Sequence, residues 1–204
     1  MKRAFDLVAS CLALLLLSPF LAAVAVAIKL TSRGPVLFRG RRVGLGGTPF
    51  TIYKFRTMRE GATAGGAITR LNDPRVTRLG RVLRRLKIDE LPQLINVVRG
   101  EMSIVGPRPE DESYVALYSE EQRKVLTMRP GITSVASVAY SDEERLLGSD
   151  DWHERYVNEI MPAKLRLELE YLGRQSFASD LRIVLRTLKS LFFTTETRGT
   201  PRTQ

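Results

Sequence analysis

The chain has 204 residues, 44% of them hydrophobic, with a formal net charge of +10. A single cysteine, Cys11, and a single histidine, His153, exclude an intrachain disulfide and a zinc site of the usual His/Cys kind. Residues 1–99 hold 18 Lys/Arg against 5 Asp/Glu and residues 100–204 hold 14 against 17, so the first half suits anionic headgroups and phosphorylated ligands.

The first element is the apolar run Leu7–Ile28, interrupted by Ser10, Ser18 and Pro19. Its 22 residues suffice to cross a bilayer. A signal peptide fits poorly, because the run exceeds the usual apolar core. Both flanks are basic, with Lys2 and Arg3 before and Lys29, Arg33, Arg39, Arg41 and Arg42 after, so a spanning helix puts one group on the disfavoured side. A re-entrant helix–break–helix, turning at Ser18-Pro19, keeps both groups on one face. Proline removes an N–H and kinks a helix, and the Ser18 hydroxyl can satisfy freed backbone groups. A kinked spanning helix fits the residues equally well.

The stretches PVLFRGRRVG and TPFTIYKFRTM flank LGGT and predict a small β-hairpin. Lys54 and Arg56 alternate with Tyr53 and Phe55 and so share one strand face, either a phosphate site or a solvated one. Residues 60–69 read as a mobile Gly-rich loop without the Lys-Ser/Thr of a Walker loop. A helix over 75–86 follows, with Leu79, Val82, Leu83 and Leu86 in one stripe and Arg78, Arg81 and Arg85 off it. ELPQLINVVRG is a second, shorter helix closed by Gly100. VGPRPED is a rigid turn, Ser119 and Gln122 form a capping box, and GITSVASVAY is a strand or extended core segment. Two helices end the pattern, YVNEIMPAKLRLELEYL and DLRIVLRTLKSLFF. The second is basic and amphipathic, suited to lying on a membrane or to packing on the core.

RRLKIDELPQL carries the most chemistry. Pro92 is tolerated only in a first helical turn, which places a helix start near residues 89–91 and Asp89 at the N-cap. The helix end and nearby Arg84, Arg85 and Lys87 favour its ionised form. Capping alone accounts for an isolated D-E-x-P. An ionised Asp at a phosphate-binding helix end is also a usable nucleophile, and Asp89 with Glu90 can converge on one Mg²⁺. Arg108, held between Pro107 and Pro109, suits a diphosphate or carboxylate.

Together these motifs form a family pattern. From KRAFDLVAS and the Ser18-Pro19 run through GPVLFRGRRVG, FTIYKFRTM, DELPQLINVVRGEMSIVGPRPE and RPGIT, nearly the whole chain resembles the bacterial sugar transferases, the monotopic phosphoglycosyl transferases. The resemblance implies an α+β, monotopic membrane enzyme. It would comprise a re-entrant helix over 1–30, a catalytic domain over 31–193 with a small β-hairpin and several interfacial helices, and a flexible tail over 194–204. The implied reaction moves a sugar phosphate from a UDP-sugar to polyprenol phosphate on the cytoplasmic face of a bacterial inner membrane, beginning glycan assembly and releasing UMP. The resemblance implies Asp89 as nucleophile, Glu90 as its partner in metal binding or proton handling, and Mg²⁺ as cofactor. It places Arg84 and Arg108 near the phosphates and makes Lys54 and Arg56 further substrate-binding candidates. Membrane lipid is an expected partner, nucleic acid is not, and a homo-oligomer stays open. The rivals are a non-enzymatic basic membrane adaptor and an anchored nucleic-acid binder. One departure from the family is GITSVASVAY, where many members have G-I-T-G, an aromatic or Leu, then A-Q-V; Ser137 stands in place of the Gln.

Overall fold

A computed structural model describes residues 2–62, 73–141, 143–147 and 151–192. Most of the expected loop at 60–69 and the expected tail at 194–204 lie outside the described residues. The chain opens with helix α1 (Lys2–Thr31), then β1 (Leu37–Val43), β2 (Pro49–Phe55) and α2 (Arg78–Arg85). A 3-10 turn at Ile88–Glu90 leads into α3 (Gln93–Arg99) and β3 (Ser103–Val105). Short helices α4 (Glu112–Val115) and α5 (Glu120–Arg123) precede β4 (Gly131–Thr133). The remainder is α6 (Val135–Ala139), α7 (Glu143–Leu146), α8 (Trp152–Arg155), α9 (Met161–Leu172) and α10 (Phe177–Phe192). The fold is α+β, as expected.

β1 and β2 form the expected hairpin, in register from Leu37 opposite Phe55 to Val43 opposite Pro49. Gly46 and Gly47, at φ 65° and 79°, make the left-handed turn that side chains resist. β3 and β4 pair in parallel through Ser103 with Gly131 and Val105 with Thr133. That approach needs glycine, because a Cβ on Gly131 would lie 2.1 Å from the Gly106 nitrogen. α3 ends on Gly100 at φ 84°, as its sequence predicts.

Asn96 fastens α3 to the exposed edge of β2. It is fully buried; its Nδ2 donates to the Thr51 carbonyl and to Glu101 Oε2, both at 2.7 Å, and its Oδ1 accepts from the Tyr53 N–H at 3.1 Å. The side chain stands in for a third strand and satisfies edge groups that burial would otherwise strand. β2 carries Lys54 and α3 follows Asp89 and Glu90, so this contact sets the spacing between them.

α1 is long and apolar enough to cross a membrane, and almost none of its apolar stretch is buried against the protein. Leu12, Leu15, Leu16 and Phe20 are exposed. Both ends, however, are held by the same body. At the N-terminal end Arg3 donates to the Val97 and Val98 carbonyls, and Lys2 pairs with Asp180 of α10. Asp6, buried, accepts from Ser103 Oγ at 2.7 Å and from the Ile104 N–H. At the other end Val24 and Ile28 pack with Phe55 and Leu83.

The helix runs without a break through Ser18-Pro19, which corrects the expected helix–break–helix. The reason is local. Proline has no N–H for the carbonyl four residues back, that of Leu15, and the Ser18 hydroxyl donates to that same carbonyl at 2.8 Å. The serine restores the acceptor's bond and the helical path survives.

Two other expectations, the stripe of α2 and the segment 131–140, are corrected. The apolar stripe of α2 splits: Leu83 is buried and Leu79 half-buried, while Val82 and Leu86 are exposed. Of the two placements open for α10, the apolar face Leu181, Leu185 and Leu188 points outward, while Ile183 faces the core. The segment 131–140 is a strand only to Thr133; Ser134 then caps α6 by accepting from the Ser137 N–H at 2.9 Å. The expected helix over 156–172 is present, its first turn, Tyr156–Ile160, wound as a π-turn before α9.

In a membrane mimic, Ser18→Ala should lower Tm, because it leaves the Leu15 carbonyl without a donor. In a Pro19→Ala background, where the backbone N–H returns, the same change should be close to neutral. Equal losses in both backgrounds, read by thermal melts of the four proteins, would break this account.

Candidate active site

α2 and the 3-10 turn meet at Lys87, whose φ of 56° is the only positive value at a non-glycine among the described residues. That costly left-handed kink turns the chain inward, so that Asp89 and Glu90, 6% and 9% exposed, point into the protein. Asp89 is therefore no N-cap: α3 has Pro92 in that place and no side-chain cap.

Glu90 is the centre of the site. Its Oε1 accepts from Lys54 Nζ on β2 and from Arg108 Nη2 in the loop after β3, both at 2.9 Å. Burial pushes this carboxyl up, but Arg108, Lys54 and Lys87 outweigh it and hold Glu90 well below the usual range. Burial lowers Lys54 in spite of Glu90, while Glu90 raises Arg108.

Asp89 has the opposite environment. Its Oδ1 is buried with no hydrogen-bond partner among the described residues. Burial first, and the Glu90 charge second, push its carboxyl up to about 6, against the pull of Lys54, Arg84 and Lys87. The expectation of a strongly favoured anion is corrected: cations are near, but desolvation wins. Two adjacent carboxylates thus differ in role, one neutralised by ion pairs and one left dry with a free oxygen.

Of the candidates, Lys54, Asp89, Glu90 and Arg108 come together. Arg84 is close enough to favour the anions of both Asp89 and Asp73. Arg56 is elsewhere: its Nη2 donates to the Ser32 carbonyl at 2.9 Å and to Ser32 Oγ at 2.7 Å, at the end of α1. It follows Lys54 by two residues, but the strand ends at Phe55, and the shared face ends with it.

One pair escaped the sequence reading. Glu110 accepts from the Tyr156 hydroxyl at 2.6 Å, and its carbonyl accepts from the Val43 N–H at 3.0 Å. These bonds hold the Pro107–Pro109 loop and with it Arg108. Glu110 was visible in PRPED, but Tyr156 had no local signal, because the π-turn and 46 residues separate the two.

For a metal, the donor set is small. No cluster of three or more His, Cys, Asp or Glu side chains that could hold an ion occurs among the described residues. Glu90 Oε1 is engaged by two cations, and of this carboxylate pair Asp89 supplies a buried oxygen, Oδ1, without a partner among the described residues. A hard cation there would take Asp89 Oδ1 as one oxygen ligand and draw the others from a phosphorylated substrate.

The arrangement joins a buried carboxylate with a free oxygen, a second carboxylate and two fixed cations, beside a helix long and apolar enough to cross a membrane. The chain belongs to the bacterial sugar transferase family, whose model matches residues 1–194. It is 44% identical over 198 residues to a Caulobacter vibrioides protein named UDP-glucose:undecaprenyl-phosphate glucose-1-phosphate transferase, covering 95% of this chain and 70% of that one. It is 43% identical to the exopolysaccharide production protein PSS of Rhizobium leguminosarum, covering 93% and 94%. A Komagataeibacter xylinus undecaprenyl-phosphate glucose phosphotransferase is 46% identical, but this chain spans only 36% of it.

The sign of the Asp89 shift can be tested. Its folded value, about 6, lies above the ordinary 3.8, so its contribution to stability is full below 3.8 and lost as pH rises through about 6. Asp89→Asn should therefore raise Tm most at pH 7.5, less at pH 5, and leave it nearly unchanged at about pH 3. Activity requiring the anion should rise with pH through about 6 in kcat/KM. Glu90→Gln should cut kcat/KM by about 100-fold and move that limb to lower pH, because a repelling anion is gone. An unmoved limb would separate Glu90 from Asp89.

Proposed function

We propose that the protein is a phosphoglycosyl transferase that moves a sugar 1-phosphate from a UDP-sugar to polyprenol phosphate. The products are polyprenol diphosphate sugar and UMP. The observation that carries this reading is the buried Asp89 carboxylate, with one oxygen free, beside Lys54, Glu90 and Arg108. The names of the relatives support the substrates, and UDP-glucose is the donor they favour.

The mechanism is a double displacement. An Asp89 oxygen attacks the phosphorus that bears the sugar. The bond from that phosphorus to the oxygen bridging to UMP breaks, and UMP leaves with the electron pair. A phosphate oxygen of the polyprenol phosphate then attacks the same phosphorus and releases the Asp89 carboxylate. Burial keeps water from the acyl phosphate between steps. Arg108 and Lys54, pre-aimed through Glu90, face the charge of the diphosphate, and Arg84 adds to it. Mg²⁺, held by Asp89 and Glu90, would lower the negative charge that an anionic nucleophile must approach.

The membrane placement follows from the same reading. α1 re-enters from one face, bending at Ser18-Pro19 while staying helical. Support comes from its two ends, both held by the catalytic body, and from its exposed middle. On this reading the site lies at the cytoplasmic headgroup layer of a bacterial inner membrane, where the acceptor's phosphate lies. The outward apolar residues of α2 and α10 rest on that layer.

UDP-glucose and polyprenol phosphate incubated with enzyme should yield UMP, with turnover lost on chelation and restored by Mg²⁺. Asp89→Asn should abolish UMP release, and mass spectrometry of donor-treated enzyme should find the phosphosugar on Asp89. UMP release by the Asn variant would remove Asp89 as nucleophile. In a Cys11→Ser background, single cysteines at 2 and 40 should label from the same side of the membrane; opposite sides would refute re-entry.

A further inference from the structure

A second cleft, about 720 Å³ and open, lies between the start of β1 and the segment after β2. None of Lys54, Asp89, Glu90 and Arg108 lines it. Its polar lining is Arg39, Arg56, Arg59 and Glu60, with Leu37 and Phe38 among its apolar walls. Arg56 is the unusual member. It is 8% exposed, its Nη2 is engaged by Ser32, and its Nε and Nη1 are buried with no acceptor among the described residues. Buried charged donors without acceptors are costly and ask for a partner. Glu60 does not supply it, since no ion pair between Glu60 and Arg56 forms among the described residues.

The backbone keeps that spot clear. Gly34 sits at φ 107°, and a Cβ there would come within 2.2 Å of Arg56 Nη1 and 3.3 Å of the Glu60 carboxylate. The cleft therefore has a guanidinium approached by bare backbone, a surplus of two positive charges over Glu60, and apolar walls. It adjoins Ser32, the residue after α1, and so opens where the apolar helix ends.

We propose that this cleft binds a lipid-borne phosphate monoester, the phosphate accepting from Arg56 and the tail lying on the apolar wall. Three features select that ligand. The charge surplus matches a dianion. The apolar lining favours a lipid over free phosphate. The place, beside the end of α1, is headgroup height on the membrane reading given above, on which the inference rests. The ligand is then either the acceptor lipid, waiting apart from Asp89, or an anionic phospholipid that fixes α1.

The test uses the full chain in detergent micelles and native mass spectrometry. The probes are farnesyl phosphate and, separately, phosphatidic acid, with inorganic phosphate as competitor. Wild type should retain one lipid that Arg56→Lys binds about tenfold more weakly, since an ammonium cannot replace the fork of donors. Arg59→Ala, at an exposed position, should weaken it about threefold and decides the matter if Arg56→Lys fails to fold. Preference for farnesyl phosphate assigns the cleft to the acceptor, and preference for phosphatidic acid assigns it to the phospholipid. Unchanged binding of both lipids in a folded Arg56→Lys protein, or in Arg59→Ala if that is the folded variant, overturns the proposal. Asp89→Asn should bind the same lipid as tightly as wild type. A wild type that binds lipid but releases no UMP would thus sink the transferase reading and leave the cleft standing.

Discussion

The site depends on one oxygen atom, Oε1 of Glu90, shared by Lys54 and Arg108. Three segments far apart in the chain meet there: the β2 strand, the turn after α2 and the loop after β3. A buried carboxylate is tolerated because two half-buried cations flank it, and they in turn share its charge. Removing any member leaves the others uncompensated. The same charge has a second effect: it lies beside Asp89 and, with burial, keeps that group from ionising as readily as an exposed aspartate. The fold thus spends its charge compensation on Glu90 and leaves Asp89 buried with an oxygen unpaired.

The parts around this centre share that logic. Lys87 accepts a left-handed backbone so that both carboxylates turn inward. Asn96 holds α3 against β2, which keeps Lys54 within reach of Glu90. Glu110 and Tyr156 hold the proline loop that aims Arg108. The anchor is built into the same body, since Arg3 bonds to the last turn of α3 and Ile28 packs on Phe55, the residue after Lys54. A load on α1 is therefore felt one residue from the site.

Much of this was legible along the chain. The hairpin, the closing of α3 at Gly100, the apolar anchor and the pairing of Asp89 with Glu90 all have local causes: turn glycines, a left-handed cap, twenty-two apolar residues and a proline that starts a helix. The errors share one cause. Period and spacing show that α2 is two-faced, but the direction of a face depends on what packs there, so Val82 points outward. Asp89 was read from its cations, which are close in sequence, while its burial comes from distant segments. Arg56 was grouped with Lys54 by alternation, which ends where the strand does.

Local chemistry by itself determined which residues could act: a carboxylate pair after a basic helix, an arginine between prolines, a serine before the helix-breaking proline. These are short-range facts, written in adjacent residues. Only the tertiary structure decided how each one acts. It gave Glu90 to Lys54 and Arg108, dried Asp89, moved Arg56 to the foot of α1 and let Ser18 repair the bond that Pro19 removes. Desolvation and ion pairing depend on which segments meet, and that meeting is set by the packing of the whole chain.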